Sequence, residues 1–124
     1  ADGFPCPGRT IPVENLFAGL DISAREVDER LRRGEALQLV DVREEWEWEY
    51  CRIPDAIHLP LDQIESRHAE VLKPGIPVVF YCHMGMRSQQ AAIWMRQEGR
   101  TDCQSLAGGV NAWADDIDPE IPRY

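Results

Sequence analysis

The sequence predicts an α/β domain built on a mostly parallel sheet, and three observations carry that prediction. Short apolar runs alternate with stretches of helical spacing through most of the chain, the order from which strand, helix, strand units are made. One run, Ile76 to Tyr81, is almost continuously apolar and bounded by Pro74-Gly75, the pattern of a central parallel strand covered on both faces. The chain has 124 residues, 44% of them hydrophobic, which suits one modest core and no second domain.

Pro5, Pro7, Pro12, Gly3 and Gly8 disfavour regular structure, so residues 1–20 read as an irregular N-terminal arm ahead of one domain over 21–124. Ser23-Ala24-Arg25-Glu26 is a capping box, followed by Val27 and Leu31 at helical spacing and by Gly34 as a stop; it predicts a helix over 23–33. Leu37 to Val40 is a short buried strand ending at Asp41, and Glu44 to Tyr50 a short helix rich in Glu and Trp. Ala56 to Leu59 is a strand and Leu61 to about Val71 a helix. After the central strand, a helix from Ser88 to Gln97 ends at Gly99, Cys103 to Leu106 is a strand, Gly108-Gly109 a turn, and Val110 to Asp116 the last helix.

Composition excludes several function classes. A net charge of −9 argues against a polyanion-binding surface, so no nucleic-acid partner is expected. No apolar run approaches the roughly 18 residues of a membrane span, and no basic-then-apolar signal segment opens the chain, so it reads as a cytoplasmic protein without a membrane partner. Four cysteines are too few for a disulfide scaffold and no two have C-x-x-C spacing. Cys82, His83, His58 and His68 show no metal-ligand spacing, and neither a metal nor an organic cofactor is implied.

The chemistry concentrates in VVFYCHMGMRSQQAA, residues 78–92. Cys82 ends the most buried strand and precedes a helix, a position where backbone N–H groups and the helix dipole converge on an anion. Those donors stabilise a thiolate, the nucleophilic form of cysteine. Gly85 supplies the positive φ that an inward-curling loop demands, and Arg87 adds a fixed cation for an anionic oxygen group. The pattern favours attack by Cys82 on an anionic donor to leave a covalent intermediate. The plainer reading of a cysteine at a strand end is a small core hydrophobe; the Gly-x-Arg-Ser that follows weighs against it. Met84 and Met86 fit either core filling or an apolar lip, and His83 either a base or a solvent-facing side chain. Asp41, Glu44, Glu45, Glu47 and Glu49 read as a solvated helix face, with a docking site for a basic partner as the sharper alternative.

Four segments in order resemble the single-domain rhodaneses: Asp41-Val42-Arg43 with Glu47, Ile53 to Pro60, Cys82 to Ser88, and Leu106-Ala107-Gly108-Gly109-Val110-Asn111-Ala112-Trp113. The resemblance covers about residues 20–124. It implies a rhodanese-like fold, with a five-stranded sheet flanked by helices on both faces, and a sulfurtransferase. A donor such as thiosulfate would give its outer sulfur to Cys82, and the persulfide would pass it to cyanide or a thiol. By the same resemblance, the amides of His83, Met84, Gly85, Met86, Arg87 and Ser88 cradle the persulfide, Arg87 helps bind the donor, and Asp41 and Arg43 support the site.

Two neighbouring chemistries stay open. A phosphatase or arsenate reductase would use the same Cys-loop-Arg logic, but phosphatases that share this fold are expected to place five residues between Cys and Arg, and this chain has four, His83 to Met86, a loop suited to one sulfur atom. A relay module, taking sulfur from a protein donor and giving it to a protein acceptor, uses the same persulfide. The cationic side chains of the loop, His83 and Arg87, favour dianionic thiosulfate over a singly charged mercapto-acid. Where the family has Gly-His before Ile53, this chain has Cys51-Arg52, and Asp55 replaces a glycine. Cys51 is therefore a candidate resolving thiol for Cys82, against the plainer reading of a packing cysteine.

Overall fold

Residues 13–124 are described by the computed structural model; Cys6 and the stretch 1–12 lie outside them. Five strands form one sheet: β1 (Asp21–Ile22), β2 (Gln38–Asp41), β3 (Ile57–His58), β4 (Val78–Tyr81) and β5 (Cys103–Leu106). Their spatial order is β1-β5-β4-β2-β3 and every pair is parallel, so the mostly parallel expectation is met by a fully parallel sheet. The apolar run of β4 lies at the centre, with Phe80 opposite Val40 on one side and Ser105 on the other.

Parallel neighbours need crossovers, and helices supply them. α1 (Val13–Phe17) precedes β1; α2 (Ala24–Arg32) joins β1 to β2, and α3 (Glu45–Tyr50) joins β2 to β3. A 3-10 turn (Leu61–Gln63) running into α4 (Ile64–Val71) leads to β4; α5 (Met86–Gln97) leads to β5, and α6 (Gly109–Asp116) follows. Alternate residues of β4, with the Cys82 that follows it, feed two cores: Val78, Phe80 and Cys82 pack with Ile64, Ala91 and Met95, while Val79 and Tyr81 pack with Val27, Val110 and Trp113. Each fully buried Val, Leu or Phe of these cores contributes about 1.5–3 kcal/mol.

Of the capping box expected over 23–26 the Ser23 half forms, the Glu26 N–H donating to Ser23 Oγ at 3.1 Å, while the Glu26 carboxylate accepts from Arg30 at 2.7 Å. Three readings need correction. A five-residue helix, α1, lies inside the stretch expected to be irregular; Arg96 ties that region to the fold by donating to the Ala18 carbonyl at 2.7 Å. Leu31 is 39% exposed rather than core, since only Ala24 and Val27 of α2 are buried. α5 starts at Met86, two residues before the expected Ser88, because Gly85 takes a φ of +116° and turns the chain into the helix there.

Chain direction places the site. From β2 the chain moves outward to β3, and from β4 it moves the other way to β5. A crevice therefore opens at the carboxyl ends of β2 and β4, where α/β sheets bind their ligands. Asp41 ends β2, and Cys82 directly follows β4.

Candidate active site

Cys82 Sγ sits at the amino end of α5 and accepts two backbone hydrogen bonds, from Gly85 N–H at 3.0 Å and from Ser88 N–H at 3.4 Å. Ser88 Oγ lies 3.4 Å from the sulfur and is fixed by Ser105 Oγ at 2.7 Å and by the Gly85 carbonyl, to which it donates at 3.1 Å. Cys82 is 1% exposed, and Ser88 and Ser105 are fully buried. The loop thus presents two amides, a hydroxyl and the positive end of a twelve-residue helix to one sulfur. That arrangement stabilises negative charge on the sulfur and on an atom bonded to it.

The loop is held from behind by the glycine pair between β5 and α6. The amide of Val110 donates to the Cys82 carbonyl at 2.8 Å, and that of Asn111 to the His83 carbonyl at 3.4 Å. Gly109 makes this approach possible, since a Cβ there would overlap both carbonyl groups.

Asp41 and Arg43 form a fully buried ion pair beneath the site, with Nη2 to Oδ2 at 2.7 Å and Nε to Oδ1 at 3.0 Å. Arg43 also donates to the Cys51 carbonyl and, through Nη1, to the Tyr124 hydroxyl at 2.8 Å. Burial alone would lower the pKa of this guanidinium; the hydrogen bonds and charge of Asp41 outweigh it and the net direction is upward. With every donor directed at a fixed acceptor, Arg43 positions the backbone between β2 and β3 rather than facing the sulfur.

Arg87 is 32% exposed on its side chain and is already paired. Its Nη1 and Nη2 donate to Glu47 Oε1 and Oε2 at 2.7 and 2.9 Å. Glu47 also accepts from Tyr124 OH at 2.6 Å and from Glu44 N–H at 2.9 Å. Burial raises the Glu47 carboxyl, but the bonds from Arg87 and Tyr124 prevail and hold it at about 2. The expectation of a solvated acidic face therefore fails for Asp41, which is fully buried on Arg43, and for Glu47, which is 3% exposed; it holds for Glu44, Glu45 and Glu49, which are exposed.

The remaining loop side chains separate. Met84 and Met86 are exposed, at 64% and 76%, so they border the loop instead of filling a core. His83 does not point to solvent: its ring stacks on Tyr124 with centroids 4.0 Å apart, and its buried Nε2 has no hydrogen-bond partner among the described residues. A groove of about 840 Å3 opens beside the loop, bordered by Val42, Glu44, His58, Asp62, Arg67 and Arg87. Arg87 is the residue that loop and groove share.

Cys51 packs in the core on the opposite face of the sheet from Cys82, with Arg43 Nη1 3.8 Å from its sulfur, and both thiols are free. That placement favours the packing reading of Cys51 over a resolving thiol. Its backbone is extended, at φ −161°, whereas Asp55 takes the left-handed conformation at φ +67° in place of the family's glycine. Burial and the charge of Asp102 push the Cys103 thiol up to about 12, which suits an inert core residue. Tyr124 and Ser105 escaped the sequence reading. Neither belongs to a motif near Cys82, and only the fold brings them to it.

A cysteine sulfur held by two amides at the carboxyl end of a fully parallel sheet defines a protein class, and the comparisons agree with it. The rhodanese-like domain model matches residues 23–116, so the chain belongs to the rhodanese-like domain family. A sulfurtransferase of Allochromatium vinosum is 38% identical over 94 residues, covering 76% of this chain and 87% of that protein. The adenylyltransferase and sulfurtransferase MOCS3 of Arabidopsis thaliana is 30% identical over 128 residues, covering 91% of this chain, which spans only 28% of that protein's length. Among solved structures, a rhodanese-related protein from Thermoplasma volcanium superposes with a TM-score of 0.71 at 23% identity, over 84% of this chain and 98% of that one, a likeness of fold.

Proposed function

We propose that this chain is a sulfurtransferase that carries sulfane sulfur as a persulfide on Cys82. The observation that carries the reading is the sulfur-centred hydrogen bonding of Cys82 by Gly85 N–H and Ser88 N–H. In the first half-reaction the Cys82 thiolate attacks the outer sulfur of a donor such as thiosulfate; the donor S–S bond breaks and sulfite leaves with its electron pair. In the second, a thiol or cyanide attacks the outer sulfur of the persulfide and the Cys82 thiolate departs. The two amides and the helix dipole stabilise the charge that passes along the sulfurs in both steps. Relatives that are sulfurtransferases support the reading.

A phosphatase reading is weaker. The loop holds four residues between Cys82 and Arg87, and the arginine that would clamp phosphate is engaged by Glu47. A sulfur-relay reading, with protein donor and acceptor, keeps the same chemistry. The exposed Met84, Met86 and Trp46 favour it by offering an apolar surface to a partner.

The test is intact mass after thiosulfate, with thiocyanate release on adding cyanide, for the parent and Cys82→Ser. The expected result is a gain of one sulfur, about 32 Da, and turnover in the parent and neither in the variant. No sulfur on the parent from thiosulfate or from a protein persulfide overturns the proposal. Protein-to-protein transfer much faster than thiosulfate turnover selects the relay.

A further inference from the structure

Glu47 is held more firmly than an ion pair on a short surface helix requires. Both its oxygens take Arg87 in fork geometry, Tyr124 OH donates to Oε2, and the amide of Glu44 donates to Oε1. Tyr124 is fixed in turn by Arg43 Nη1, by its stack on His83, and by the edges of Trp46 and Tyr50 at 5.7 Å. Both nearby ion pairs are internally neutral: Glu47 with Arg87 at the loop, and Asp41 with Arg43 on the Cys51 side of the sheet. Across the groove, Arg67 is bonded to Glu70 and Gln63. A sulfur donor carrying two negative charges meets an arginine whose charge is already cancelled, with a fixed carboxylate behind it. The groove adds the exposed carboxylates of Glu44, Glu45 and Asp62. Against that field, the cationic loop expected from His83 and Arg87 no longer favours thiosulfate.

We propose that Glu47, oriented by Tyr124, is the donor-selecting residue of the site: by neutralising Arg87 it turns Cys82 toward organic persulfides, R–S–SH, and away from dianionic thiosulfate. The inference rests on the persulfide chemistry proposed above. With such a donor, the Cys82 thiolate attacks the terminal sulfur and the donor S–S bond breaks. RS⁻ leaves as a thiolate, and Cys82 keeps the terminal sulfur with its proton. No oxidant or reductant is consumed.

The experiment compares parent, Glu47→Gln and Tyr124→Phe in two ways. Sulfur loading of Cys82 is followed by intact mass with dianionic thiosulfate and with 2-hydroxyethyl persulfide, which carries at most one negative charge. Alkylation of Cys82 is followed by peptide mass with anionic iodoacetate and neutral iodoacetamide. Removing the carboxylate charge frees Arg87 for anions, so the thiosulfate-to-persulfide and iodoacetate-to-iodoacetamide rate ratios are expected to rise about three- to tenfold in Glu47→Gln. Tyr124→Phe moves both ratios the same way by less. A merely loosened loop changes both rates of each pair together and leaves the ratios where they were; unchanged or lowered ratios in both variants overturn the proposal. If Glu47→Gln does not fold, as judged by circular dichroism, the Tyr124→Phe ratios decide. If the parent loads sulfur from neither donor, the proposed function falls, while the alkylation ratio still decides whether Glu47 screens Arg87.

Discussion

Glu47 stands in Glu44-Glu45-Trp46-Glu47-Trp48-Glu49, where nothing in the local pattern sets one carboxylate apart. α3 has six residues, too few for periodicity to assign a buried face, so Arg87, forty residues on, is what selects it. The consequence for stability has a definite sign. The Glu47 carboxyl is lowered from the usual 4.5 to about 2, so its ionisation stabilises the fold above about pH 4.5, and that contribution is lost as pH falls toward 2. The shift corresponds to about 3 kcal/mol at neutral pH. Denaturant titrations from pH 2 to 7 are expected to show a stability gap between parent and Glu47→Gln that is full above about pH 4.5 and shrinks on acidification. A gap that is flat across that range would show that the ion pair contributes nothing to folding.

At the scale of elements, the site is the meeting of two turns. The turn from β4 into α5 carries the sulfur and its amides, and the turn from β5 into α6 supports it through Gly109. Both are legible as glycine-containing segments after strands, but their contact is not, because it joins residues more than twenty positions apart. Gly109 has a φ of +60° and no room for a Cβ between the two turns, so Gly109→Ala is expected to cost about 3 kcal/mol. The same substitution should displace the Cys82 carbonyl and slow sulfur loading. Unfolding titrations check the first effect and intact mass the second. Asp55 is the contrasting case, since a left-handed residue in an exposed turn keeps its conformation without a glycine.

Across the whole molecule, the order β1-β5-β4-β2-β3 puts a four-residue strand at the centre and two-residue strands at both edges. The core on each face passes through β4, so the amides of Val79, Phe80 and Tyr81 are expected to exchange with solvent only on global unfolding. Those of β1 and β3 should exchange at least about tenfold faster through local opening. Hydrogen exchange followed by NMR checks this; equal protection at the centre and the edges would contradict it. A rigid centre serves the chemistry, because Cys82 directly follows β4 and its cradle needs a fixed sulfur position.

The sequence by itself determined the order of the elements from α2 onward, the parallel central strand, the cysteine at its carboxyl end and the family, since these are written in local pattern: apolar runs, a capping box, glycines after strands and four motifs in order. It left out α1 and β1, because five and two residues are too short to carry a period. The tertiary structure alone decided the charge of the site. It withdrew Glu47 from solvent onto Arg87, brought Tyr124 between Arg43 and Glu47, and sent Cys51 to the opposite face from Cys82. Each of those outcomes depends on which distant residues a side chain meets. Spacing along the chain determines a residue's face on a helix or strand, and only packing determines what lies across from it.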